Sequence, residues 1–176
     1  MVGVARLADR LAAHYGEDAR KARTAGMLHD LARLYSAQRL LDECERREMP
    51  VDAFERAHPI VLHARLGAEL ARERFGIDDE AVLSPIRKHT VAAADMSRLD
   101  ELVYLADGLE PGRNFPERAA LERLAFRDVD AAMLETLRAS IAFLESRGAG
   151  VAPQTFAAVA VYEARLSAER STVCKT

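Results

Sequence analysis

The chain has 176 residues, long enough for one domain with a single sizeable core. Hydrophobic residues at 49% and charged residues at 30% exclude a disordered chain, aromatics at 6% with no Trp make the core aliphatic, and 9 Gly and 6 Pro argue against a loop-rich all-β fold. A formal net charge of -3 gives no electrostatic reason to expect nucleic acid or a membrane surface as partner, and no apolar run reaches spanning length.

Helical periodicity begins at Val2 and puts Val4, Leu7, Leu11 and Ala12 on one face, with Gly16 ending the helix after Tyr15. A second helix is predicted over Asp18–Leu34, where Ala22, Ala25 and Gly26 permit close packing. Ser36 reads as the N-cap of Ala37–Arg47, and Pro50 opens a connection. Pro59 suits the first turn of a helix that runs to Phe75 and stops at Gly76. Asp78 or Asp79 starts a helix to about His89, followed by a loop over Thr90–Met96. Ser97-x-x-Asp100 resembles a capping box and opens Ser97–Leu109. After a turn at Glu110–Pro116 come a short helix near Glu117–Leu124 and a longer one over Val129–Ser146. A loop at Gly148–Pro153 and a last amphipathic helix over Gln154–Ser167 complete the pattern. The fold class is all-α, a bundle of about eight or nine helices. It is expected to form a single domain over 1–176, with 168–176 a polar tail. Cys44 and Cys174 make no disulfide framework and no signal-peptide apolar region follows Met1, so the expected compartment is the cytoplasm.

Histidines and acids on apolar faces carry the chemistry. His29 follows Ala25 and Gly26 at i−4 and i−3, so its ring emerges on a small, inward face, with Asp30 beside it. Adjacent side chains diverge by about 100° around a helix. The pair can therefore share an ion in the wedge between them, the carboxylate can bridge two ions, or the His is simply buried with an acidic neighbour. His63 has Ile60 at i−3 and Gly67 at i+4, and His89 follows Val82, Pro85 and Ile86, so both face the core. Three inward imidazoles need polar partners that an aliphatic core lacks. Asp107 sits on an apolar face behind Val103 and Tyr104, which calls for a buried Arg partner or a metal. His29, Asp30, His63, His89 and Asp107 together form an imidazole and carboxylate set suited to iron, manganese, zinc or a similar ion. Such a centre lowers the pKa of bound water and clamps phosphoryl oxygens, as two-metal hydrolases do.

The sequence resembles the HD-domain metal-dependent phosphohydrolases, whose signature is a lone His, then His-Asp, then a distant Asp. Within them it is similar to the YqeK family of symmetrical diadenosine tetraphosphate hydrolases. The resemblance rests on His29-Asp30-Leu31-Ala32-Arg33, His63-Ala64-Arg65-Leu66-Gly67-Ala68, Ile86-Arg87-Lys88-His89-Thr90 and the run from Met96 through Asp107-Gly108-Leu109-Glu110-Pro111-Gly112-Arg113 to Pro116. It implies an all-α HD domain holding two divalent ions, iron first, with manganese or another transition metal as substitute. It implies that His29, Asp30 and Asp107 bind metal, with Asp30 bridging and positioning the water, and that His63 and His89 serve the second ion. The implied reaction cleaves the dinucleotide at the middle of its polyphosphate to two ADP, without a covalent intermediate. Arg33 and Arg113 are candidate phosphate clamps, since guanidinium matches phosphate oxygens in pairs, and Thr90 either bonds phosphate or caps its loop. A homodimer is a reasonable assembly for a small bundle with many apolar faces.

Three departures stand out. Val91-Ala92-Ala93-Ala94 occupies the place of a Gly-bearing loop, and Arg65 that of a small residue or Pro. The family's first ligand His would fall one residue before Met1, since the pair it precedes is Gly3-Val4, and His14 lies about four turns too far along the helix to replace it. The expectation is a chain that begins inside helix one, through a start site set too late or a truncation, with one metal position under-ligated. His58 reads as an exposed residue before Pro59. The competing readings are an HD-type phosphohydrolase of mononucleotides and a non-catalytic helical module that keeps a nucleotide or metal pocket.

Overall fold

Short acceptor side chains set most helix starts in the computed structural model, which describes residues 1–173. α1 (Val2–Tyr15) is followed by α2 (Ala19–Leu28), whose N-cap Asp18 accepts from the amides of Arg20 and Lys21. α3 (Ala37–Arg46) is capped by Ser36, and α4 (Ala53–Ala57) by a reciprocal box between Asp52 and Glu55. A 3-10 turn at Pro59–Val61 leads into α5 (Leu62–Phe75), and Asp79 caps α6 (Glu80–Lys88). α7 (Arg98–Leu109) opens on the expected box between Ser97 and Asp100. α8 (Arg118–Ala125), α9 (Val129–Ser146) and α10 (Pro153–Val173) follow. There is no strand among the described residues, and no helix among them is long and apolar enough to cross a membrane.

Three expectations need correction. The second helix stops at Leu28 rather than Leu34, with His29 as its C-cap. Beyond it the chain advances in three-residue turns, Leu31 N–H to Leu28 O, Arg33 N–H to Asp30 O and Tyr35 N–H to Ala32 O. This tighter winding still buries Ala32 while leaving Leu34 exposed, so the apolar pattern outlasts the helix. The connection after Pro50 contains α4, whose five residues are too few to show a period. The polar tail is helical as far as it is described, because α10 continues to Val173; residues 174–176, with Cys174, lie outside the described residues.

α7 is the axis of the bundle. Leu99, Leu102, Val103, Tyr104, Leu105, Ala106 and Leu109 are all buried, so its apolar surface runs nearly around the helix. Each fully buried Leu contributes roughly 1.5–3 kcal/mol over an exposed one. α1 lays Val4, Leu7, Ala8 and Leu11 into the same core. It crosses α2 at Gly26, where an added Cβ would lie 2.9 Å from the Cα of Ala5. A smaller cluster of Leu40, Cys44, Leu62, Leu66 and Leu70 joins α3 to α5, and burial pushes the Cys44 thiol up from its ordinary value. Tyr162 and Arg165 of α10 donate to the buried carboxylate of Glu101, tying the last helix to α7.

Candidate metal centre

Four elements bring their ends to one point. His29 and Asp30 come from the turn after α2, His63 from the first turn of α5, His89 from the C-cap of α6 and Asp107 from the last turn of α7. Gly67 lets α5 close on that turn, since a Cβ there would sit 3.3 Å from the carbonyl oxygen of His29. One local device orients all three rings. The Nδ1–H of His29 donates to Gly26 O at 2.8 Å, that of His63 to Ile60 O at 2.5 Å and that of His89 to Ile86 O at 2.8 Å. In each case the acceptor is the carbonyl three residues earlier, freed by the end or the 3-10 start of a helix. With Nδ1 donating to the backbone, each Nε2 points into the cluster, as a proton donor to the carboxylates when the ring is charged and as a lone-pair donor when it is neutral.

The Nε2 atoms of His63 and His89 are 3.1 Å apart, and both rings are buried. Two lone pairs at that distance repel unless a cation or proton lies against them. Thr90 Oγ1, at 3.2 and 3.1 Å from the two nitrogens, has one hydrogen to give and cannot satisfy both. The Asp30 carboxylate lies across the group, with Oδ2 3.3 Å from His29 Nε2 and Oδ1 3.3 Å from His63 Nε2 and 3.7 Å from His89 Nε2. Asp107 Oδ1 is 3.5 Å from His29 Nε2 and accepts from Arg113 Nη2 at 2.6 Å, while its backbone carbonyl accepts from Arg113 Nε. Asp107 thus pairs with an arginine that is exposed rather than buried, and it also lies against the ring of His29. His29, His89 and Asp107 form one trio able to hold an ion, and Asp30, His63 and His89 another. The donor set fits divalent transition-metal ions, because each trio offers nitrogen and oxygen atoms with no thiolate.

Burial and pairing pull these groups in opposite directions. Burial alone would lower His29 and raise the two acids. The hydrogen bonds of His29 to Asp107 and Asp30 overcome burial and lift it to about 9. Asp107 falls to about 2 against its burial, through His29 and the charge of Arg113. Asp30 falls far below the carboxylate range, because three imidazoles surround it. For His89 burial wins and the value drops, which keeps its Nε2 lone pair available.

The cluster floors a cavity of about 360 Å³. Arg33 and Arg113 both line it, and Arg33 is exposed with no ion-pair partner among the described residues. Thr90 lies inside the cluster beside two rings rather than out in the loop. The loop beyond it winds through Ala92 at φ 60, a left-handed backbone that costs an alanine about 1 kcal/mol and a glycine nothing. Arg65, a second departure, donates to Glu55 at 2.5 Å and to the Pro50 carbonyl, so it pins α4 beside the cavity.

His58 corrects its sequence reading. It is half-buried, its ring is 4.6 Å from that of Phe54, and both residues line the metal-side cavity. It is held there because Gly150, from the loop before α10, closes on its Nε2, where a Cβ would come within 2.6 Å. No periodicity surrounds His58 in the sequence, and the wall it meets is far along the chain. His14 stays at the exposed end of α1, against Tyr15 and Phe126. Gly3 lies against the carboxylate of Glu110, so the first turn of α1 abuts the Asp107 end of the cluster.

An all-helical bundle with a His-Asp turn, two further buried histidines and an acid on the central helix defines a metal-dependent hydrolase of the HD type. The family model described as HD domain matches residues 1–112, and the chain belongs to the HD-domain family. It is 33% identical over 155 residues to the symmetrical bis(5'-nucleosyl)-tetraphosphatase of Bacillus subtilis (strain 168), covering 88% of this chain and 83% of that one. The Halalkalibacterium halodurans protein of the same name is 34% identical over 156 residues, covering 89% of this chain and 83% of the relative. A solved structure from Clostridium acetobutylicum, described as an HD superfamily hydrolase involved in NAD metabolism, superposes with a TM-score of 0.90. It is 34% identical, and the match covers 93% of this chain and 87% of that one.

Proposed function

We propose that this enzyme hydrolyses a dinucleoside tetraphosphate, diadenosine tetraphosphate by preference, at the middle of its polyphosphate. The observation that carries the reading is the position of Asp30, between three Nε2 atoms on the floor of a cavity that two arginines also line. The name shared by the Bacillus and Halalkalibacterium relatives supports the choice of substrate. Cleavage adds one water across the central P–O–P bridge, and each half leaves as a nucleoside diphosphate.

In this reading His29, Asp30 and Asp107 would hold one ion, and His63 and His89, with Asp30 shared, would hold the second. Iron is the preferred ion and manganese a substitute, since imidazole and carboxylate donors suit both. Divalent ions at such a site supply Lewis acidity and bring the pKa of bound water toward neutrality. The chain's own groups do the rest. The three backbone carbonyls at Gly26, Ile60 and Ile86 hold each ring with Nε2 inward. Arg113 steadies Asp107 and turns its exposed edge to the cavity, while Arg33 is free to take phosphate oxygens. Phe54 and His58 offer an aromatic wall for one nucleobase. The cytoplasm is the compartment of this reading, in keeping with a free, buried Cys44.

Product analysis tests it. Diadenosine tetraphosphate incubated with the iron-loaded chain is expected to give ADP as the sole nucleotide product. ATP together with AMP would move the cleavage to an outer linkage. Turnover of mononucleotides alone would favour the runner-up phosphohydrolase.

A further inference from the structure

A second cleft, of about 450 Å³, opens on the far side of Arg113. Its size falls in the range of roughly 300–1,000 Å³ typical of small-ligand sites. Arg113 lines both this cleft and the metal-side cavity. The two chambers also divide neighbouring residues between them. On α7, Asp107 faces the metal side and Gly108 the cleft; on α9, Leu144 lines the first and Phe143 the second. A single cation therefore stands on the sill between two compartments.

The lining of the cleft suits a nucleoside better than a phosphate. Phe115 and Phe143 supply aromatic faces, and the 59% exposed ring of Phe143 already carries the Arg147 guanidinium 5.4 Å from its centre. Asn114 carries a donor and an acceptor on one amide, the pattern that pairs with the edge of adenine. Thr136 is 5% exposed and its Oγ1 has no hydrogen-bond partner, while its methyl lies toward Gly108. A buried hydroxyl left unpaired is destabilising, and rotation of the side chain to exchange methyl and hydroxyl would bring it to a ligand group on the cleft floor. Glu117, at the rim, repels phosphate and accepts from amino or hydroxyl groups. The other neighbour of the metal-side cavity, lined by Arg65, Arg87 and Lys88, lacks these features, since its cations are already paired with Glu55, Glu80 and Asp100.

We propose that the cleft of Phe115, Phe143, Asn114 and Thr136 binds the second nucleoside of the dinucleotide, with the polyphosphate crossing Arg113 from one chamber to the other. The inference rests on the proposed dinucleotide substrate and gives symmetrical cleavage a structural basis. One nucleoside lies on each side of the sill, which brings an inner rather than an outer part of the polyphosphate beside Arg113 and Asp107.

The test uses the metal-loaded full chain with two readouts, the number of ADP molecules bound per chain by calorimetry and KM for diadenosine tetraphosphate. Wild type is expected to bind two ADP. Phe143→Ala is expected to bind one and to raise KM about tenfold, the scale of one lost base–aromatic stack, with the larger share of the effect in KM rather than kcat. Phe143→Tyr should restore both. Thr136→Val, which keeps the shape and removes the hydroxyl, should raise KM in the same direction. Phe143→Ala that keeps two ADP and an unchanged KM overturns the cleft's assignment while leaving the substrate intact. A wild-type chain that binds no ADP and does not turn over the dinucleotide overturns the substrate reading and the cleft together.

Discussion

Replacing Asp30 with alanine is expected to lower hydrolysis by at least about a thousandfold and to leave the melting temperature within a few degrees of wild type. The size follows from what the carboxylate touches. Its oxygens lie 3.3 to 3.7 Å from the Nε2 atoms of His29, His63 and His89, so both proposed ion positions lose an anionic donor at once. Metal-assisted stabilisation of a phosphoryl transition state is worth several kcal/mol, and about 4 kcal/mol is a thousandfold in rate. The fold is spared because the Asp30 side chain is 30% exposed and lies in no apolar cluster. Asp30→Asn keeps the shape and removes the charge, and it should be almost as inactive. Paired rate and thermal-melt measurements separate loss of chemistry from loss of fold. Substantial turnover in Asp30→Ala would remove this residue from the centre of the mechanism and favour a module that binds without catalysing.

Gly26→Val is expected to cost about 3 kcal/mol and to lower the melting temperature by roughly 6–12 °C for a chain of this length. The reason is contact with backbone rather than with a mobile side chain. A Cβ at position 26 would meet Ala5 Cα at 2.9 Å and Ala5 N at 3.1 Å, so α1 and α2 must separate. Gly26→Ala is the milder case, because a helix-interior alanine gains about 1 kcal/mol of propensity over glycine while the clash costs about 1–3. The same substitution reaches the site. Gly26 O is the acceptor for His29 Nδ1–H, so a shift of α2 turns the Nε2 of that ring out of the cluster. Metal retention after gel filtration should therefore fall along with the melting temperature. A Gly26→Val protein that melts like wild type would mean that the two helices have slack the packing does not suggest.

Much of the site was legible because helical spacing and chemistry agree. The residues three before each histidine, Gly26, Ile60 and Ile86, mark the rings as inward in the sequence, and their carbonyls hold the rings in the structure. Asp107 was marked by its apolar face, and the structure gives it both His29 and Arg113. The end of α2 was hidden, because three-residue turns after His29 keep Leu31 and Ala32 inward much as a longer helix would. α4 was hidden by its brevity. The walls of the cavity were hidden for a different reason. His58, Leu144 and Gly150 meet only through the return of the chain from α9 to α10, and no local pattern records such a contact. The loop after Thr90 shows the reverse. A glycine-bearing loop was expected there by resemblance, and Ala92 at φ 60 shows the backbone that a glycine would adopt without strain.

The most direct measurement is a metal titration of the stripped chain with diadenosine tetraphosphate as substrate. After chelation and anaerobic gel filtration, ferrous iron is added stepwise and ADP release is followed at each step. No turnover is expected in the stripped protein, with a rise to a plateau as iron is added and no rise in Asp30→Ala. Full turnover in the continued presence of chelator, or an iron-dependent rise in Asp30→Ala equal to that of wild type, would contradict this.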